Sequence, residues 1–180
     1  TPPGKAAHGL SYSAIGELTQ YTPPLASATA PPGQCAAGAE CYQYNVDRQL
    51  EDVTLGDGSV VDYAYHSTKG LLTSVNVPVS GITTFGYSTV GRLQTITAPD
   101  HGVLTYNTQG ELPIRETWSG THQVKDGATT VWTGALHGTV DRTYNNFLEL
   151  DRLTVAGGFD QRFVRDADGL VTRIDPAATG

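Results

Sequence analysis

Two cysteines, five histidines and a scatter of carboxylates are the reactive side chains of this 180-residue chain, and their spacing limits what they can do. Cys35 and Cys41 have five residues between them in a Gly/Ala-rich stretch. A disulfide closing this small loop is the leading reading and two free thiols the alternative, since a surface or secreted protein commonly uses a cysteine pair that way. The separation is not the Cys-x-x-Cys of redox or zinc sites, and no further ligand lies near in sequence. His8, His66, His101, His122 and His137 form no His-x-x-x-His pair with a Glu between them, so they read as turn or surface residues. Asp160, Asp166 and Asp168 precede Gly169 and invite calcium. An EF-hand loop needs more oxygen ligands and a closing Glu, which are missing. No metal and no cofactor is expected.

Nucleophilic and nucleotide chemistry have no visible carrier. There is no Gly-x-Ser-x-Gly elbow, no phosphate loop ending in Lys-Ser/Thr and no Gly-x-Gly-x-x-Gly. Glu51 and Asp52 are adjacent, so on a strand they face opposite ways and cannot share a site. Glu149 and Asp151 would share a face, where simple solvation accounts for them. An enzyme is therefore not expected. Trp118 and Trp132 have small polar neighbours, Ser119-Gly120-Thr121 and Thr133-Gly134. They suit either bulk filling a core or a platform on which a surface glycan stacks; core filling is the leading reading.

Composition excludes more. Eleven Lys+Arg against 18 Asp+Glu give a formal charge of −7 with no basic cluster, so no nucleic acid is expected as a partner. Apolar runs are a few residues long, far short of the roughly 20 that span a bilayer. With 21 Gly and 10 Pro, turns are many and long helices few. The first residues lack the apolar core of a signal peptide, and the chain opens at Thr1 rather than Met. It reads as an excerpt of a longer polypeptide, with any targeting signal upstream.

The elements that carry these residues show themselves as a repeat. An aromatic followed by Gly four residues on and Leu six residues on gives three clean copies, Tyr12 to Gly16 to Leu18, Tyr87 to Gly91 to Leu93, and Tyr106 to Gly110 to Leu112. Degenerate copies start at Tyr44, Tyr65 (with one extra residue before Gly70), Tyr144 and Arg165 (with Gly169). The spacings are 32, 21, 22, 19, 38 and 21, a unit of about twenty residues. The spacing of 32 holds a Pro/Ala/Gly-rich insertion near residues 25–41, and that of 38 is close to two units, the second eroded around Lys125-Asp126-Gly127. Between the copies residues alternate, as in Thr95-Ile96-Thr97, and Thr, Val and Tyr dominate, the pattern of strands. Asp57-Gly58, Pro99-Asp100-His101-Gly102 and Asp168-Gly169 mark turns. Each unit is predicted to be a β-hairpin, its motif Gly in a turn and its Tyr packed between neighbouring units.

The Tyr-x-x-x-Gly-x-Leu copies at this period resemble the Rhs or YD repeat of bacterial Rhs proteins, the BC component of Tc toxins and the animal teneurins. Thr1-Pro2-Pro3-Gly4-Lys5-Ala6-Ala7-His8 with Tyr21-Thr22-Pro23-Pro24, and Thr143 to Phe147 running on to Arg165 to Arg173, look like recurrent segments of that family. The Asp that usually follows the Tyr is present only as Asp166; Ser, Asn or His replaces it elsewhere. The resemblance implies an all-β chain of consecutive antiparallel hairpins forming a spiralling sheet, residues 1–180 being one region of seven to eight repeats. It implies a structural segment of a bacterial shell or extracellular strip, secreted or at the cell surface, that encloses or presents a toxin-associated polypeptide. Its partners would be neighbouring repeats and the enclosed segment. A cell-surface adhesion or carbohydrate-binding module, meeting another protein or a glycan, is the alternative. The family's autoproteolytic Asp-Pro-x-Gly-Leu has only Asp175-Pro176-Ala177-Ala178-Thr179 as a counterpart, without the Gly and Leu, so that activity is not carried over.

Overall fold

A computed structural model describes residues 7–24, 34–126 and 129–176. Most of the proline-rich insertion, Lys125–Gly127 as an eroded motif, the opening Thr1–Ala6 and Ala177–Gly180 lie wholly or partly outside the described residues or side chains. Every element among the described residues is a strand, as expected for an all-β chain. In chain order they are β1 (Gly9–Tyr12), β2 (Leu18–Thr22), β3 (Glu40–Tyr44), β4 (Leu50–Thr54), β5 (Val60–Tyr65), β6 (Leu72–Val77) and β7 (Gly81–Tyr87). There follow β8 (Leu93–Thr97), β9 (Val103–Gln109), β10 (Leu112–Asp126), β11 (Thr129–Tyr144), β12 (Leu150–Val155), β13 (Phe159–Arg165) and β14 (Val171–Pro176). Strand order is chain order, and the pairs are antiparallel hairpins. The chain divides into two compact units, Thr1–Thr84 and Phe85–Gly180.

In the first unit the alternation of the sequence becomes two unlike faces. Tyr42, Val53 and Val61 stand opposite one another across β3, β4 and β5, and Tyr63, Val75 and Thr83 do so across β5, β6 and β7. The intervening row is polar, with Asp52 opposite Asp62 and Asp62 opposite Asn76, whose amide donates to the Asp62 carboxylate at 2.8 Å. The second unit repeats the pattern. Ile96, Leu104, Trp118 and Gly138 form one row across β8 to β11, and Thr95, Thr105, Thr117 and Thr139 form the next, on the other face. The Trp118 indole lies over Gly138, where a Cβ would come 2.1 Å from the ring, so a cross-strand aromatic occupies the space a side chain would otherwise take. Ion pairs Arg115–Asp141 and Arg152–Asp160 line the polar face.

This layer buries little by itself. Among the described residues only Ala36, Ala39 and Val53 are buried, at 4%, 0% and 8% exposure, while apolar strand residues such as Ile82 and Ile174 stay about half exposed at 53% and 49%. Side-by-side neighbours in one sheet cover a residue on its flanks but not on its top, so lateral fastening has to supply what a core supplies elsewhere.

Asp52 tests the cost of one such lateral contact. Burial in the sheet first, and then the charge and hydrogen bond of Asp62, with Glu51 beside it, hold its carboxyl above the ordinary value. A carboxylate whose folded pKa is raised binds its proton more tightly in the native state. Its penalty is absent below the unfolded pKa, grows as pH rises from there and is full above the folded pKa. Asp52→Asn is therefore expected to unfold at higher urea than the wild type at neutral pH, and the difference is expected to vanish in acid below the ordinary Asp value, read from urea midpoints at the two pH values.

Candidate functional site: the ladder of motif turns

The repeated motif is itself the turn that joins each odd-numbered strand to the next. In the first copy Ser13 N–H donates to the Glu17 carbonyl at 2.7 Å and Gly16 N–H donates back to the Ser13 carbonyl at 3.0 Å. The same two bonds recur at Asn45–Gln49, Ser88–Arg92, Asn145–Glu149 and Asp166–Leu170, and His66–Leu71 closes a turn one residue longer. The fifth motif position takes a positive φ, 86° at Gly16 and 85° at Gly91, where glycine carries no Cβ penalty. In the degenerate copies Arg48 and Leu148 hold this position with φ 64°.

The second position explains the departures from Asp. Asn45 Oδ1 accepts the N–H groups of Asp47 and Gln49, both at 3.0 Å, and Asn145 Oδ1 accepts those of Phe147 and Glu149 at 2.9 and 3.0 Å. Asp166 Oδ1 accepts Asp168 and Leu170, and Ser13 Oγ accepts Ile15 and Glu17. Ser88 Oγ accepts Arg92, and His66 Nδ1 accepts Thr68. Ser, Asn, His and Asp share one property here, a short side chain with an acceptor that satisfies turn N–H groups. Copies that look diverged in sequence are chemically equivalent.

Consecutive turns are then tied together. Toward this edge the ladder between one hairpin and the next stops, at Gln20–Cys41, Asp52–Asp62, Arg115–Asp141 and Arg152–Arg162. Beyond each stop a long side chain bridges the parted strands. Tyr44 donates its hydroxyl to the Leu18 carbonyl at 3.1 Å, Tyr65 to Leu50 at 2.9 Å, and Tyr144 to Pro113 at 2.9 Å. Arg165, standing where the others have Tyr, donates to the Leu150 carbonyl at 3.2 Å. Burial pushes the Tyr65 hydroxyl above the usual tyrosine range. The turns also touch at their tips. Arg48 pairs with Glu17 at 3.3 Å, Gln49 donates to the Gly70 carbonyl at 2.7 Å, Arg92 meets Gly110 and Glu111, and Arg165 pairs with Glu149 at 3.5 Å.

One copy departs from this plan and corrects the sequence reading of Tyr106 to Leu112 as a clean repeat. Strand β9 runs on to Gln109, which pairs with Leu112, leaving a two-residue turn of Gly110 (φ 61°) and Glu111. Tyr106 pairs with Glu116 rather than with Leu112. The residue after the motif Leu is Thr19, Glu51, Thr73, Gln94, Asp151 or Thr172 in the other copies and Pro113 here. Proline brings no N–H and fixes its own φ, so the register shift moves to between Pro113 and Arg115. The shortened turn leaves a wide gap before the next one. A groove of about 1070 Å³ lies between Leu112–Ile114 and Arg142–Tyr144, against about 310 Å³ for the corresponding gap between Gln49–Glu51 and Tyr63–Ser67.

The remaining candidates are dispersed. Cys35 and Cys41 form a disulfide with Cα atoms 5.8 Å apart. The loop it closes docks on the β4–β5 turn, where Gly38 N–H donates to the Gly56 carbonyl at 3.1 Å and the buried Ala36 and Ala39 sit. His8 stacks on Tyr21, ring centroids 5.8 Å apart, and His101 sits in the Ala98–Gly102 turn at φ 66°. Asp160 is held by Arg152 at 2.8 Å, away from Asp166 in its turn. Among the described residues no group of three or more His, Cys, Asp or Glu is placed to hold a metal ion. Tyr12 is 59% exposed, and the side chains of Trp132 and His122 lie outside the described ones.

With the fold in hand, solved structures offer a comparison. The chain is similar to part of the TcdB2–TccC3–Cdc42 structure, with TM-score 0.63 and 14% identity over 89% of this chain and 9% of that one. The TcdB2–TccC3 structure gives TM-score 0.61 and 14% identity over 88% of this chain and 9% of that one. The TcdB2–TccC3–TEV structure gives 0.57 and 13% over 94% and 10%. This chain thus spans about a tenth of the length of those it matches. The likeness is one of fold, a strip of consecutive hairpins. Neither a protein-family model nor a curated protein sequence matches.

Leu148 offers a direct test of the turn. Its side chain is 67% exposed and its backbone is left-handed, a conformation that costs an L-residue about 1–2 kcal/mol, partly offset in glycine by a floppier unfolded chain. Leu148→Gly is expected to stabilise by about 0.5 kcal/mol or more, seen as a higher urea midpoint with an unchanged slope.

Proposed function

We propose that this chain is a structural repeat segment of an Rhs/YD-type shell or extracellular strip, whose work is to enclose or present a toxin-associated polypeptide rather than to catalyse a reaction. The observation that carries the reading is the ladder of motif turns. At β2–β3, β4–β5, β8–β9, β10–β11 and β12–β13 it fastens a hairpin to the one before by side chain to main chain bonds, a device that can be extended along a chain. Two further observations support it. One face of the layer is rich in Tyr, Val and Phe, yet almost nothing in the described residues covers it, as suits a wall that gains its cover from what lies against it. The fold is shared with part of TcdB2–TccC3, a Tc toxin assembly. On this reading the segment is secreted or displayed at the cell surface, its acidic charge keeps the assembly soluble, and its partners are neighbouring repeats and the enclosed polypeptide.

A strip of this kind has strand edges at β1 and β14 that want further strands. Light scattering with circular dichroism on the 180-residue chain is expected to show β-rich material whose mass grows with concentration. A folded monomer at all concentrations would contradict the reading and favour a self-sufficient binding module.

A further inference from the structure

The groove in the second unit has a chemistry of its own, and it goes beyond the shell reading. We propose that the cleft between Leu112–Ile114 and Arg142–Tyr144 binds an extended, uncharged polypeptide segment. Three observations converge on it. First, the β10–β11 ladder ends at Arg115–Asp141, and beyond it the unpaired strands border a groove of about 1070 Å³, against about 310 Å³ at β4–β5, room enough for an extended chain to lie in. Tyr144 bridges the two strands at Pro113, as Tyr65 bridges β4 and β5 at Leu50, but there Gln49 also reaches the next turn at the Gly70 carbonyl, whereas here the short Gly110–Glu111 turn is drawn to Arg92 on the opposite side.

Second, the polar groups on the groove wall are neutral amides. Asn107, Gln109 and Asn146 line it, are exposed, and make no side-chain hydrogen bond within the described structure. Each offers a donor pair and an acceptor, the complement of a peptide group. The charged residues at the groove are already paired, Arg115 with Asp141 and Arg142 with Glu116 at 3.0 Å, so a charged ligand would find no free counter-charge and would lose solvation. Third, the apolar lining is aliphatic, Leu112, Ile114 and Leu148. The one aromatic, Tyr144, is part-buried with its hydroxyl committed to the Pro113 carbonyl. A sugar site calls for an exposed ring face on which to stack, whereas alternate aliphatic side chains of an extended peptide fit aliphatic walls.

The test is NMR titration of the labelled 180-residue chain with a short acetylated and amidated peptide that alternates Ser, Thr or Gln with Val or Leu, and separately with maltohexaose. The side-chain amide signals of Asn107, Gln109 and Asn146 are expected to shift with the peptide and not with the sugar. Gln109→Ala combined with Asn146→Ala, both at exposed positions and so compatible with an unchanged circular dichroism spectrum, is expected to weaken peptide binding about tenfold, the loss of two hydrogen bonds of ordinary strength. No shift at millimolar peptide, equal affinity in the double variant, or shifts with maltohexaose in place of the peptide would each overturn the proposal. None of these outcomes bears on the association of the strip through its edges, so the two readings fail separately.

Discussion

A tyrosine hydroxyl bonded to the carbonyl of the neighbouring hairpin is the contact on which the rest of this molecule depends. A single layer of strands buries each side chain only on its flanks, and only Ala36, Ala39 and Val53 are buried among the described residues. Hydrophobic burial is thus thin, and one hairpin alone is at best marginally stable. Toward the motif edge even the main-chain ladder gives out, at Asp52–Asp62 in one place and Arg152–Arg162 in another. The carbonyls freed there, of Leu50 and Leu150, are those that Tyr65 and Arg165 reach. A long side chain thus does two things at once. It plugs the opening and satisfies a main-chain acceptor that would otherwise be partly withdrawn from water.

The turn that presents the tyrosine has to be rigid for this to work, and its rigidity comes from the residue that follows. An acceptor at the second position gathers the N–H groups of the loop, and a left-handed residue at the fifth brings the chain back into register. Given those two constraints the hydroxyls of Tyr44 and Tyr65 arrive at the motif Leu carbonyl of the preceding copy, Tyr144 reaches one residue further, to Pro113, and Arg165 takes the Leu place with a guanidinium that also bonds the Gly169 carbonyl of its own turn. Function on this view is a property of the strip: an edge that fastens, a polar face of threonines and ion pairs, and an aromatic face open to whatever lies against it.

Much of this was legible in the sequence, because the period and the aromatic, Gly and Leu columns are local. The strands follow from alternation, and the turn follows from a glycine that recurs at one offset. What was not legible is what depends on register. Asp52 and Asp62 are ten positions apart and meet only because the Leu55–Ser59 turn has the length it has. Tyr106 to Leu112 carries every motif residue and still folds otherwise, since Pro113 changes the pairing one residue beyond the motif. The column of Ser, Asn, His and Asp was visible too, yet it reads as divergence until hydrogen-bond geometry shows one acceptor role. The groove beside Tyr144 follows from that same altered turn and leaves no mark in any motif.

Amide hydrogen exchange followed residue by residue, in the wild type and in Tyr65→Phe, tests the central contact most directly. Phenylalanine keeps the ring and removes only the hydroxyl. The expected result is faster exchange in two places, the turn of Tyr65 itself and the preceding turn around Gln49 and Leu50, with strand centres unchanged. Exchange that is unaltered, or altered only around residue 65, would contradict the claim that the hydroxyl fastens one hairpin to the next.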